Sequence, residues 1–207
     1  MNPAPLRAEL GLQRDPEFEM DLPAGWTRSA PDDETLQRML AGTKRRLMEA
    51  HRPDLYAQMK SMLESSFQDM RRGGVFAFFS ASEPDPSTLF VPASLNASIR
   101  KAEPGQNLDD VVRSLVREHG ATPLLGDKRT LRVERQKVRQ LGTESVVSHS
   151  IVYLTPVPGA KRRRALQLVA GFASKVGTPA DDSMLESMRA LFDSCVSTLR
   201  WRPAQDS

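Results

Sequence analysis

Residues 128–176 read KRTLRVERQKVRQLGTESVVSHSIVYLTPVPGAKRRRALQLVAGFASKV, and this run decides the fold class. In residues 128–138, Leu131 and Val133 alternate with Arg132 and Glu134, the period of two expected of a half-buried strand. The alternation slips after Arg135, which predicts a bulge or added twist. In residues 144–154, Val147, His149, Ile151 and Tyr153 fall on one face. Residues 165–176 are apolar at both parities, as in a central strand covered on two sides. Pro156-Val157-Pro158-Gly159, followed by Lys161-Arg162-Arg163-Arg164, supplies a hairpin loop. Strands joined by short connections pair antiparallel, because a parallel crossover needs a dozen residues or more. The expectation is therefore α+β, not a doubly wound parallel sheet.

The flanking sequence fills in the rest. Val75-Phe76-Ala77-Phe78-Phe79 reads as a second central strand, Pro84-Asp85-Pro86-Ser87 as a turn, and residues 94–101 as a strand with Leu95, Ala97 and Ile99 facing one way. Asn107 caps a short helix with Leu108, Val111, Val112, Leu115 and Val116 on its buried face, and Gly120 stops it. Phe18, Met20 and Leu22 alternate as a first strand, Pro23-Ala24-Gly25 breaks it, and Trp26 anchors against the core. Between them lies a helical insert over about 32–72. Asp32 or Asp33 caps it, Arg52-Pro53 interrupts it, and Gly73-Gly74 ends it. Asp181 or Asp182 starts a closing helix bearing Met184, Leu185, Met188, Leu191, Phe192, Cys195, Val196 and Leu199 on one broad face. The organisation expected is one domain over 16–202, with loose tails at 1–15 and 203–207. It is a mostly antiparallel sheet sandwiched between helices, with the long helical insert after the first strand.

Composition narrows the class. In 207 residues, 39% hydrophobic and 27% charged is an ordinary globular balance, and no apolar run approaches the roughly 18–20 residues of a bilayer span. No signal-peptide core opens the chain, and the single Cys195 can form no internal disulfide, so a reducing, cytoplasmic setting is expected. A net charge of +3 is too small a field to point to nucleic acid.

Three segments carry a family likeness. PEFEMDLPAGWTRSAPDDE at residues 16–34 resembles the opening of PsbP-like domains of the LpqN and Ran-binding import factor superfamily, where a strand runs into a Leu-Pro-x-Gly-Trp step. SIVYLTPVPGAKRRRALQLVAGFAS at residues 150–174 is similar to their penultimate hairpin, and MLESMRALFDSCVSTLRW at 184–201 to their closing helix. The resemblance implies an α/β/α sandwich used mainly as a non-enzymatic accessory: an extrinsic subunit, import adaptor, chaperone or lipoprotein. The chain departs from the lipoprotein members in lacking a lipobox cysteine near residue 1, and from the shorter members in its insert. The shared segments mark a fold and transfer no functional residue.

Chemistry-bearing patterns are sparse. Gly73-Gly74 lacks the Lys-Ser/Thr of a phosphate loop, no G-x-S-x-G is present, and His51, His119 and His149 hold no metal-ligand spacing, so neither cofactor nor metal is expected. His149 reads either as a hydrogen-bonded core histidine or as the base of an enzyme site with Glu144, Ser148 and Ser150. Cys195 reads as a core thiol, and Asp109-Asp110 and Asp181-Asp182 as helix caps. Two surface features remain. Lys161, Arg162, Arg163 and Arg164 would sit on a hairpin, suited to an acidic partner or an anionic surface. Met59, Met62 and Met70 belong to a methionine-rich stripe on the insert, suited to a partner helix, to a second copy in a homodimer, or simply to core filling. The functional expectation is a protein-binding accessory module using a sheet edge or the groove beside the insert. An enzyme site near His149 and a basic-loop binder of nucleic acid or anionic membrane are the alternatives.

Overall fold

The structure is a computed structural model that describes residues 17–81, 88–89, 91–103, 107–141 and 144–202. The expected tails, 1–15 and 203–207, and the Pro84–Ser87 turn lie outside those residues.

The run that decides the class forms three long strands, β6 (Asp127–Leu141), β7 (Glu144–Pro156) and β8 (Arg164–Lys175). They pair antiparallel in sequence order, β6 with β7 from Leu131↔Leu154 to Leu141↔Glu144 without a register shift. The expected bulge after Arg135 is therefore absent. Residues 135–140 are exposed, so nothing there selects an apolar parity and the alternation lapses while the ladder continues.

β8 is the middle of a seven-stranded antiparallel sheet, completed by β2 (Trp26–Ser29), β3 (Val75–Ala81), β4 (Ala93–Lys101) and β5 (Thr122–Leu124) in the order β2-β3-β4-β8-β7-β6-β5. β5 and β2 are short edge strands that the periodicity did not single out; in particular Trp26 opens a strand as well as anchoring the core. The expected first strand shrinks to β1 (Phe18–Glu19), which pairs with β9 (Arg200–Trp201) and ties the two ends of the described chain together. Two strands thus precede the insert, not one.

Four helices are described: α1 (Asp33–Glu49), α2 (Tyr56–Arg72), α3 (Leu108–His119) and α4 (Ser183–Ser197). Their starts follow from local chemistry. Asp32 accepts from the Thr35 amide at 2.8 Å, Asn107 and Asp110 form a reciprocal capping box, and Asp182 accepts from Met184 and Leu185. Arg52-Pro53 breaks the insert as expected, through a 3-10 turn at Pro53–Leu55, making α1 and α2 an antiparallel hairpin.

Strand parity distributes the layers. Ala77, Phe79, Leu95, Ala97, Ile151, Tyr153, Leu168 and Ala170 face α4, whose Leu185, Met188, Phe192 and Val196 complete the main core. The opposite parity faces two separate covers. Leu131, Val133, Val152, Leu154 and Ala165 pack against Leu108 and Leu115 of α3. Phe78 meets Phe67 of α2 edge-on at 5.6 Å, beside Leu36 and Leu40 of α1. The two-sided strands expected from VFAFF and from residues 165–176 owe their pattern to this sandwich. The class is α+β, an antiparallel sheet between helical layers.

Candidate functional site

The α1–α2 hairpin packs on Phe78 of β3, and α3 packs on Val133, Leu154 and Ala165 of β6 to β8, so no described helix packs on the strip of sheet between them. The strand registers lay one row across it: Thr27↔Ser80 on β2 and β3, then Ser94↔Gly171↔Ser150↔Arg135 on β4, β8, β7 and β6. Its residues are small and mostly hydroxylic. One wall is α1. Between that wall and β2–β3 lies a groove of about 990 Å³ lined by Thr27, Ser80, Arg38, Gly42, Arg45 and Arg46, among others, with no carboxylate among the described lining residues. Arg38 donates to Thr35 Oγ1 at 3.2 Å; Arg45 and Arg46 have no described ion-pair partner. Arg28, on the lip, turns its guanidinium over the Phe18 and Phe76 rings at 5.1 and 5.9 Å, on the other side of the sheet.

The residues singled out in the sequence fall elsewhere. Lys161 and Arg162 sit in the β7–β8 connection with φ of 46° and 57°. Arg162 Nη1 donates to Asp109 at 2.8 Å, while the Arg162 and Arg163 carbonyls accept from Leu108 and Ala102. Arg164 opens β8 and is itself engaged. Lys161, Arg162 and Arg163 are thus strung along a loop fastened to the start of α3, where Asp109 answers Arg162, and Arg164 belongs to the strand that follows. The methionine stripe also divides. Met70 is half-buried beside Phe67 and Phe78, whereas Met59 and Met62 are exposed near the hairpin tip with Met48.

His149 is 2% exposed, stacked on Phe172 at 4.9 Å, and bonded through Nε2 to Ser174 Oγ at 2.8 Å. Ser148 and Ser150, its neighbours along β7, project to the opposite face, so the expected grouping with them does not assemble. Burial holds the imidazole pKa below its ordinary value, outweighing the nearby Glu134 charge. Cys195 is buried in the α4 face, and burial pushes its thiol up, away from thiolate.

An ionic lattice that sequence reading missed lies beside His149. Tyr153 Oη donates to Asp193 at 2.6 Å, Arg132 Nε donates to the same carboxylate at 2.8 Å, and Arg189 Nε donates to Glu134 at 3.0 Å, with Arg132 reaching Glu134 at 3.2 Å. Burial alone would raise the Glu134 carboxyl; Arg189 and then Arg132 more than offset it and keep it below the usual range. Burial, then the Asp193 bond, drives the Tyr153 phenol far up, so it stays protonated. The lattice clamps α4 to β6 and β7. Its signal was present: Arg132 and Glu134 share the parity of Ile151 and Tyr153, and Arg189 and Asp193 stand four apart on the helix above.

Among the described residues no group of three His, Cys, Asp or Glu is placed to hold a metal ion, and no helix is long and apolar enough to cross a membrane. Set against known proteins, the chain matches no protein-family model and no curated protein.

Proposed function

We propose that this protein is a non-enzymatic accessory module that binds another protein through the groove beside the α1–α2 hairpin. One observation carries the reading: among the described residues the 990 Å³ groove is lined by arginines, hydroxyls and apolar side chains such as Met39 and Phe78, with no histidine, cysteine or carboxylate. Arginine stays protonated and cannot serve as a general base, and a serine or threonine without a neighbouring base is not an activated nucleophile. The same groups are ready hydrogen-bond donors for a docked chain. The likeness to PsbP-like accessory domains supports this reading, and the tethering of Arg162 to Asp109 favours it over a basic-loop anion binder.

Gly42 provides the test. It lies inside α1, and a Cβ there would meet nothing within 4 Å, so a side chain fits the fold but intrudes on the groove. Replacing a mid-helix glycine also favours the helix, by up to about 1 kcal/mol. Tagged protein at native level should co-purify a stoichiometric partner, and Gly42→Trp should lose it at least tenfold while its thermal midpoint stays the same or rises. Equal recovery with Gly42→Trp, or repeated recovery of the chain alone, overturns the proposal.

A further inference from the structure

Two glycines in the open face are unexplained by the fold. Gly171 stands in the middle of β8, where the register with β4 and β7 runs through unbroken, and Gly42 stands in the middle of α1. Neither has a positive φ, and at neither would a Cβ meet any atom within 4 Å. Glycine costs about 0.5–1 kcal/mol against alanine inside a helix or strand. In a strand it marks a bulge, a bend or the close approach of another backbone. The unbroken ladder leaves the third for Gly171. Gly42 lines the groove directly, and Gly171 lies in the cross-strand row that leads on from the groove residues Thr27 and Ser80.

Charge says what enters that space. Arg38, Arg45 and Arg46 hold the α1 end. At the far end Arg135, Lys137 and Arg139 alternate along β6 on the groove side, and Lys175 joins them through the pairing of Val146 with both β6 and β8. These four are exposed and have no described ion-pair partner. On this face the row from Thr27 to Arg135 and the nearest rows of the same parity contain no acidic residue among the described residues; Glu134, in the adjacent row, is on the α4 side. From β2 to β6 is five interstrand steps of roughly 4.8 Å, about 24 Å in all, the length of some seven extended residues at about 3.4 Å each.

We infer that the occupant is an acidic, extended peptide segment of the partner, laid across the strands from the α1 arginines, over Gly171, to Arg135 and Lys137. This rests on the reading of the groove as a protein-docking surface. A peptide is favoured over single-stranded nucleic acid because the rows offer only one ring, Phe78, and it is buried under Phe67. A recessed floor of serines and glycine is likewise unsuited to a bilayer surface, which apolar side chains must enter.

The probe is a fluorescent eight-residue peptide of alternating Glu-Glu and Asp-Gly pairs, titrated into the full chain and followed by anisotropy. Binding should weaken at least tenfold in each of Arg45→Glu/Arg46→Glu, Arg135→Glu/Lys137→Glu and Gly171→Val, and also between 50 and 500 mM salt. It should change less than twofold in Arg162→Glu/Arg163→Glu. Circular dichroism and thermal midpoints confirm folding of each variant. Dependence on one end only, stronger loss in the loop variant, or equal affinity for oligo-thymidine or for phosphatidylserine vesicles overturns the inference. If the acidic probe fails while Gly42→Trp still abolishes partner capture, the acidic-segment inference falls and the docking groove stands. If Gly42→Trp leaves capture intact, the groove reading falls too.

Discussion

His149 is polar, nearly sealed from solvent, and held by one hydroxyl, with its Nδ1 buried and unpartnered. Because burial lowers its pKa in the folded state, the ring is neutral there, whereas the unfolded ring takes a proton below about pH 6.5. The unfolded state then binds more protons. The stabilisation is complete above that pH and is lost as pH falls through it, at no more than about 1.4 kcal/mol per pH unit. Denaturant unfolding of His149→Phe between pH 7 and 5 should show a flatter pH dependence than wild type; an unchanged slope would disprove the assignment. Asp193 belongs to the same scale. Asp193→Ala strands Tyr153 Oη and Arg132, both largely buried, and should cost about 2–4 kcal/mol in urea unfolding. Arg71→Ala, which breaks the exposed bridge to Asp33, should cost under about 1 kcal/mol. His149 was readable as a core histidine from its apolar strand neighbours. Ser174 was not readable as its partner, because the contact depends on the β7–β8 register and not on spacing.

At the scale of elements, periodicity succeeded where an element buries one continuous face and failed where it does not. The α4 stripe predicted Leu185, Met188, Phe192, Cys195 and Val196 as buried, and the β4 alternation Leu95 and Ala97, because a core selects those positions; Met184, in the first turn of α4, stays exposed. β2 and β5 are too short to show a period, and the β6 arm beyond Arg135 has no core to impose one. The methionine stripe of α2 looked continuous in sequence, yet Phe67 is the only fully buried residue of that helix among those described, beside Leu36 and Leu40 of α1, while the hairpin tip stands clear. Phe67→Ala should therefore lower stability by about 3–5 kcal/mol, and Met59→Ser with Met62→Ser by less than about 1 kcal/mol. Comparable losses in the two variants would mean that the tip is packed.

For the molecule as a whole, the sandwich uses its apolar faces in two ways. One sheet face is closed by α4 and the ionic lattice. The other is covered at two places by unrelated helices, and the polar strip between them is what the pairing of distant strands creates. Thr27, Ser80, Ser94, Gly171, Ser150 and Arg135 are scattered over more than 100 residues of chain, so no local motif announces them. The insert and the hairpin loop were visible in sequence; the groove that α1 forms with β2 and β3 was expected only as a place beside the insert. Amide chemical-shift mapping of the isotope-labelled chain during titration with the acidic peptide tests this most directly. The account predicts that the largest changes fall on Gly42, Ser80, Ser94, Gly171 and Ser150. Changes concentrated on residues 160–164, or on Met48, Met59 and Met62 at the hairpin tip, would contradict it.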